Sequence, residues 1–214
     1  MSNGMTSYCF VDGGYLRGEA KRVGKPLVNP RSLAIRIAFS NLVQQWTSPR
    51  AEHDLKDRAQ SWSIGLARTL YYDARPDSET EIDPLIQDYW QEIEKLSDTD
   101  VAFGALRGRP KRQKRVDGLI AVDMLVGTFT SLFRVAILVA GDSDFVPVVN
   151  EVRRRGVMVV VAGAEASLSP ELRQAADRVW VIDVNAPGEL PPLDKANNVW
   201  YELPDGKVEM RFLK

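Results

Sequence analysis

Short apolar runs alternate with amphipathic stretches along most of this chain. Tyr8-Cys9-Phe10-Val11 is aromatic and β-branched and reads as a buried strand that stops at a tight turn, Asp12-Gly13-Gly14. Asn29-Pro30 has the form of an N-cap followed by the first helical residue, and Leu33, Ile35, Ile37, Ala38, Leu42 and Val43 carry that helix to about Trp46. Residues 48–63 are polar and charged, consistent with a short exposed helix. Ala67 to Tyr72 predicts a second strand that ends at Asp73; Asp83-Pro84 opens a helix through Ile86, Tyr89, Trp90, Ile93 and Leu96; Val101 to Leu106 predicts a third strand. Over 116–131, Val116, Leu119, Ile120, Met124 and Gly127 fall roughly on one helical face. Val135 to Ala140 is a continuous apolar run, the pattern of a parallel strand covered on both faces. Gly141-Asp142-Ser143-Asp144 interrupts it before a helix from Phe145 to Arg155 that Gly156 closes. Val157 to Ala162, a helix opened by Ser169-Pro170, and Val179 to Val184 complete the series.

Strands alternating with helices predict an α/β fold with a mainly parallel central sheet. The pattern changes after residue 186. Pro187, Pro191 and Pro192 mark a linker, and Trp200-Tyr201-Glu202-Leu203 and Lys207 to Phe212 flank Pro204-Asp205-Gly206, a β-hairpin pattern. The expected organisation is one domain over 1–186 with a linker and hairpin over 187–214. The hairpin edge would suit pairing with a protein partner or a second copy.

Composition narrows the chemistry. Lys and Arg number 28 against 29 Asp and Glu, a net charge of −1 that argues against binding nucleic acid only if the charges are evenly mixed, and they are not. Cys9 and His53 stand alone, so neither an internal disulfide nor a Cys/His zinc site is expected, and any metal would be held by oxygen. No basic leader followed by an apolar run and no long apolar span is seen, so a cytoplasmic location away from membranes is expected.

In open parallel sheets, sites form beyond the carboxyl ends of the strands. Asp12 follows the first strand, Asp142 and Asp144 follow the fourth central one, and Asp117 opens the helix after the third. A lone Asp after a strand is usually an N-cap. Two carboxylates two residues apart on a tight turn repel each other, however, and a divalent cation relieves that repulsion. Asp123 lies about 120° around the helix from Asp117, which assigns it a structural or indirect role. Six of the nine residues in 107–115 are basic, Arg109, Lys111, Arg112, Lys114 and Arg115 among them, and they lead directly into Asp117. Residues 77–100 carry nine acids against Lys95, which suggests a face turned away from an anionic substrate. Tyr15 and Arg17, just beyond Asp12, are weak candidates for substrate contact; Trp46, Trp90 and Trp180 read as core, and Cys9 as inert.

Phe10-Val11-Asp12-Gly13-Gly14-Tyr15, Lys114-Arg115-Val116-Asp117 with Asp123, and Val139-Ala140-Gly141-Asp142-Ser143-Asp144-Phe145-Val146-Pro147 together resemble the NYN domain, the LabA-like branch of the PIN-like nuclease superfamily, over roughly residues 7–185. The resemblance implies a Rossmann-like three-layer α/β/α sandwich and metal-dependent cleavage of RNA. It assigns the catalytic and Mg2+- or Mn2+-binding roles to Asp12, Asp117, Asp142 and Asp144, with Asp123 as a conditional fifth acid; Ser143, between the paired acids, is expected to support them indirectly. Many relatives carry Asn shortly after the first Asp-Gly, where this chain has Gly14-Tyr15. In the expected mechanism Asp12 and Asp142 bind one ion directly, and Asp117 and Asp144 act through water or on a second ion, while the basic segment holds the phosphate backbone. Two alternatives stay open: a catalytically silent module that binds RNA or protein, and another magnesium-dependent phosphoesterase.

Overall fold

The computed structural model describes residues 5–25, 27–40, 65–76, 82–105 and 115–185, and the backbone alone of 64, 106–107, 112–114, 198–202 and 208–212. In chain order the elements are β1 (Met5–Asp12), α1 (Gly13–Arg22), α2 (Pro30–Ala38), β2 (Ile64–Pro76), α3 (Pro84–Glu94), β3 (Thr99–Arg107), β4 (Arg112–Lys114), α4 (Val116–Phe129), β5 (Val135–Val139), a 3-10 turn (Ser143–Phe145), α5 (Val146–Arg154), β6 (Met158–Ala164), α6 (Pro170–Ala175), β7 (Arg178–Ile182), β8 (Asn198–Glu202) and β9 (Val208–Phe212). Seven strands form one sheet in the order β4-β3-β2-β1-β5-β6-β7. All its neighbours run parallel except β3 and β4. The chain is thus an α/β three-layer sandwich with a six-stranded parallel core.

Side chains alternate across the sheet and define two cores. Cys9, Val11, Tyr71, Val139 and Val160 face α1, α2 and α3, where they meet Leu16, Leu33, Ile37 and Trp90. Phe10, Tyr72, Leu138, Val159 and Val161 face α4 and α5, where they meet Ile120, Met124 and Val149. Covering on both faces explains why every residue of β5 and β6 is buried and why those runs carry no polar alternation.

The helix starts expected at Asn29-Pro30, Asp83-Pro84 and Ser169-Pro170 are present. Each N-cap side chain accepts a backbone N–H of the first turn. Several boundaries differ from the expectation. Gly13-Gly14 is not a turn but the first two residues of α1, capped by Asp12. The helix from Pro30 ends at Ala38, while 41–63, including Trp46, His53 and the expected exposed helix, lie outside the described residues. β2 does not stop at Asp73 but runs to Pro76. The basic stretch is not wholly loop: Arg112–Lys114 pairs antiparallel with β3. The 3-10 turn precedes the helix expected to begin at Phe145. β8 and β9 pair antiparallel, as the hairpin pattern predicted, with the turn residues 203–207 outside the described residues.

Candidate active site

The strand order doubles back at β1: β2 lies on one side of it and β5, much later in the chain, on the other. A crevice forms at such a switch point because the connecting segments leave in opposite directions. Asp12 ends β1 opposite Tyr72, while Val11 pairs with Val139, so the segment Ala140-Gly141-Asp142 leaves the sheet beside Asp12. Asp12 caps α1 by accepting the Tyr15 N–H at 3.0 Å. Asp142 caps the 3-10 turn by accepting the Asp144 N–H at 2.9 Å, and both carboxylates of that turn are exposed. Phe145, 1% exposed, anchors the turn in the core beneath them.

Asp117 reaches the same place from the first turn of α4. Its carboxyl is held above the ordinary range, first by partial burial and then by the negative charges of Asp142 and Asp144. α4 packs against the 3-10 turn, which makes the three neighbours, with Asp12 set beside them by strand register. Among the described residues, no three Asp, Glu, His or Cys side chains are already gathered as a metal cage. The donor set nonetheless suits a hard cation: every candidate ligand is a carboxylate, and the mutual repulsion falls when a cation enters. Magnesium needs only one or two direct carboxylates and keeps several waters, so a fully drawn-in cage is not required.

A family model described as the NYN domain matches residues 10–183, most of the chain. The chain belongs to the NYN domain family. Its NYN domain therefore falls within the PIN-like nuclease superfamily. Among solved structures it is similar to a protein of unknown function from Vibrio parahaemolyticus, with 16% identity and a TM-score of 0.61 over 86% of this chain and 96% of that one. That likeness concerns the fold. No curated protein matches the chain. No helix among the described residues is long and apolar enough to cross a membrane.

Other residues of the NYN domain take places that sequence reading left open or missed. Asp123 accepts the Tyr72 hydroxyl at 2.8 Å, which ties α4 to the strand residue directly opposite Asp12. Ser143 is exposed at the head of the 3-10 turn. Arg115 is exposed in the left-handed region with φ 73° and leads into α4. Arg112 and Lys114 lie on β4 at the sheet edge, while Arg109 and Lys111 lie outside the described residues. Arg153 at the end of α5 donates to Asp177, which also accepts the Val159 N–H, so Asp177 clamps α5 to β6. Burial pushes the Cys9 thiol up, in keeping with an inert core position.

Tyr15 and Arg17, weak candidates for substrate contact, are engaged within the fold. The Tyr15 hydroxyl accepts the Ala164 N–H at 2.8 Å and shares a hydrogen bond of 2.9 Å with Ser167. Its ring also lies against Gly141, where a Cβ would come within 2.6 Å of it. Tyr15 thus fastens α1 to the carboxyl ends of β5 and β6. Arg17 donates to Asp73 at 2.6 Å. Asp73 is 0% exposed and also accepts from the Tyr71 hydroxyl, the Trp90 indole N–H and the Ala74 N–H. Four donors satisfy a buried carboxylate that strand periodicity alone could not distinguish from a strand end. Gly13 is required here, because a Cβ would run into the Tyr71 ring.

Proposed function

We propose that this NYN domain is a metal-dependent ribonuclease that hydrolyses RNA phosphodiester bonds at the carboxyl edge of its sheet. The observation that carries the reading is the convergence of Asp117, Asp142 and Asp144 at the strand switch point, where α4 packs against the 3-10 turn and the Asp117 carboxyl is held above the ordinary range. Asp12 and Asp142 are the proposed direct ligands of Mg2+ or Mn2+, with Asp117 and Asp144 acting through water or on a second ion. When bound, the cation supplies a nucleophile at neutral pH and stabilises the leaving oxygen. The chain's own part is to hold that position still. Each N-cap bond fixes one carboxylate, Tyr72 and Asp123 fix α4, and Phe145 anchors the Asp142 turn. Arg109, Lys111, Arg112, Lys114 and Arg115 are the proposed backbone contacts, and residues 187–214 a separate appendage whose hairpin edge takes a protein partner or second copy. A cytoplasmic location belongs to the same reading.

Asp12→Asn and Asp142→Asn test it, because Asn caps a helix as well as Asp and preserves the local fold while removing the charge. Metal-dependent cleavage of RNA should fall by at least two orders of magnitude in each; cleavage at the wild-type rate in both overturns the assignment. One observation favours a second reading, an RNA- or protein-binding module without catalysis: Asp12 and Asp142 already have structural work as N-caps. Retained RNA binding with no cleavage under any divalent cation would select it. Turnover of a small phosphate ester without action on RNA would select a general phosphoesterase.

A further inference from the structure

We propose that Arg75 is a contact for a nucleic-acid backbone phosphate on the part of the sheet that overhangs β1. This rests on the nucleic-acid part of the reading above and adds a position that the basic segment 107–115 does not include. β1 ends at Asp12 opposite Tyr72, but β2 continues through Asp73, Ala74 and Arg75 to Pro76, paired only with β3. Arg75 lies three residues beyond Tyr72, about 10 Å further along the strand direction at the usual rise per residue. β3 continues from there to Arg107, and β4 returns antiparallel beside it, so the overhang joins Arg75 to the basic segment within one sheet.

The Arg75 guanidinium is held in place, and among the described residues it has no counter-charge. Its guanidinium lies 5.8 Å from the Trp90 ring centroid and 5.1 Å from that of Phe103, two rings that pack edge to face. No described carboxylate pairs with it. The nearest candidate along the strand, Asp73, already accepts from Arg17, Tyr71, Trp90 and Ala74. The Arg75 Nε is buried and finds no acceptor among the described residues. A stacked, planar guanidinium loses little freedom when it takes up a phosphate. Arg75 alternates with Asp73 and Tyr71 on the α3 face, whereas Phe10 and Tyr72 mark the α4 face toward which Asp12 and Asp117 lie. A strand that touches both Arg75 and the acidic cluster must therefore cross the carboxyl edge of the sheet, over the junction of β1 and α1, and not run along one face.

The test is binding of a labelled single-stranded RNA oligonucleotide to the full chain by fluorescence anisotropy in EDTA, across a salt series, with wild type, Arg75→Ala, Arg75→Gln and Arg75→Lys. Arg173→Ala serves as a control, since that arginine pairs with Glu165 on the opposite flank. Arg75→Ala and Arg75→Gln should weaken binding about five- to tenfold at low salt and flatten the slope of log K against log salt by about 0.7, the value for one contact to a single strand. Arg75→Lys should keep the slope and part of the affinity, and Arg173→Ala should match wild type. Wild-type affinity and slope in Arg75→Ala overturn the proposal. If thermal melting shows that variant unfolded, equal affinities for the Gln and Lys variants overturn it instead. A wild-type chain that binds no RNA sinks this inference together with the function above. A wild-type chain that binds RNA through Arg75 but never cleaves it with Mn2+ supports the inference and rejects the nuclease.

Discussion

Asp73 and Asp117 are two carboxylates on one sheet edge with opposite surroundings. Asp73 has four donors and no solvent, so removing its charge leaves the Arg17 guanidinium half-buried without a partner. Asp73→Asn should cost about 3 kcal/mol in urea denaturation, the low end for breaking a buried ion pair because Arg17 is 24% exposed. Among the described residues Asp117 has no comparable set of donors, only its own backbone N–H. Its carboxyl is pushed up by partial burial and by Asp142 and Asp144, so the folded state binds its proton more readily than the unfolded chain does. Asp117 should therefore add most to the stability of the metal-free protein below the ordinary Asp range, and that contribution is lost as pH rises through the raised value. Asp117→Asn should remove that loss, melting higher than wild type near neutral pH in EDTA; equal melting temperatures there would count against a repulsive cluster.

Among the elements, α4 has two duties: its buried face closes one core, and its first turn presents Asp117. The Tyr72 to Asp123 hydrogen bond couples the two duties, since it fixes the helix against β2 at the level of Asp12. Tyr72→Phe should cost about 1–2 kcal/mol, the price of a half-buried acceptor left unmade, and weaken Mn2+ binding severalfold by titration calorimetry. An effect on stability with unchanged Mn2+ affinity would remove α4 position from the account of the site. Such elements were legible to different degrees. β5, β6 and the Gly-Asp-Ser-Asp break could be read in sequence because continuous apolar runs and a turn with paired acids are local signals. α1 was hidden because a helix opening on Gly13-Gly14 has the local form of a turn, and the reason for Gly13 is a ring 58 residues away, Tyr71. Asp73 was hidden for the same kind of reason, its partners Arg17 and Trp90 being distant along the chain.

For the molecule as a whole, a net charge of −1 conceals a division of labour: acids gather on 77–100 and at the strand switch point, cations on 107–115, with Arg75 the single cation on the overhang of β2. Affinity for RNA should accordingly fall steeply with salt despite near-neutrality, and Arg112→Ala with Lys114→Ala should flatten the slope by about 1.4 on a single strand; an unchanged slope in that double variant would detach the β4 edge from substrate. The α/β architecture followed from the order of strands and helices, whereas the overhang did not, because it depends on β1 ending four residues before β2 does. The group Gly13, Arg17, Tyr71, Asp73 and Trp90 has one further consequence, for how such chains diverge. Tyr71 both satisfies Asp73 and excludes any side chain at 13, and Arg17 has no other described carboxylate to neutralise it. In a library randomised at these five positions and selected for folding, survivors should keep the set or exchange it together, with alanine at 13 recovered only alongside a smaller residue at 71.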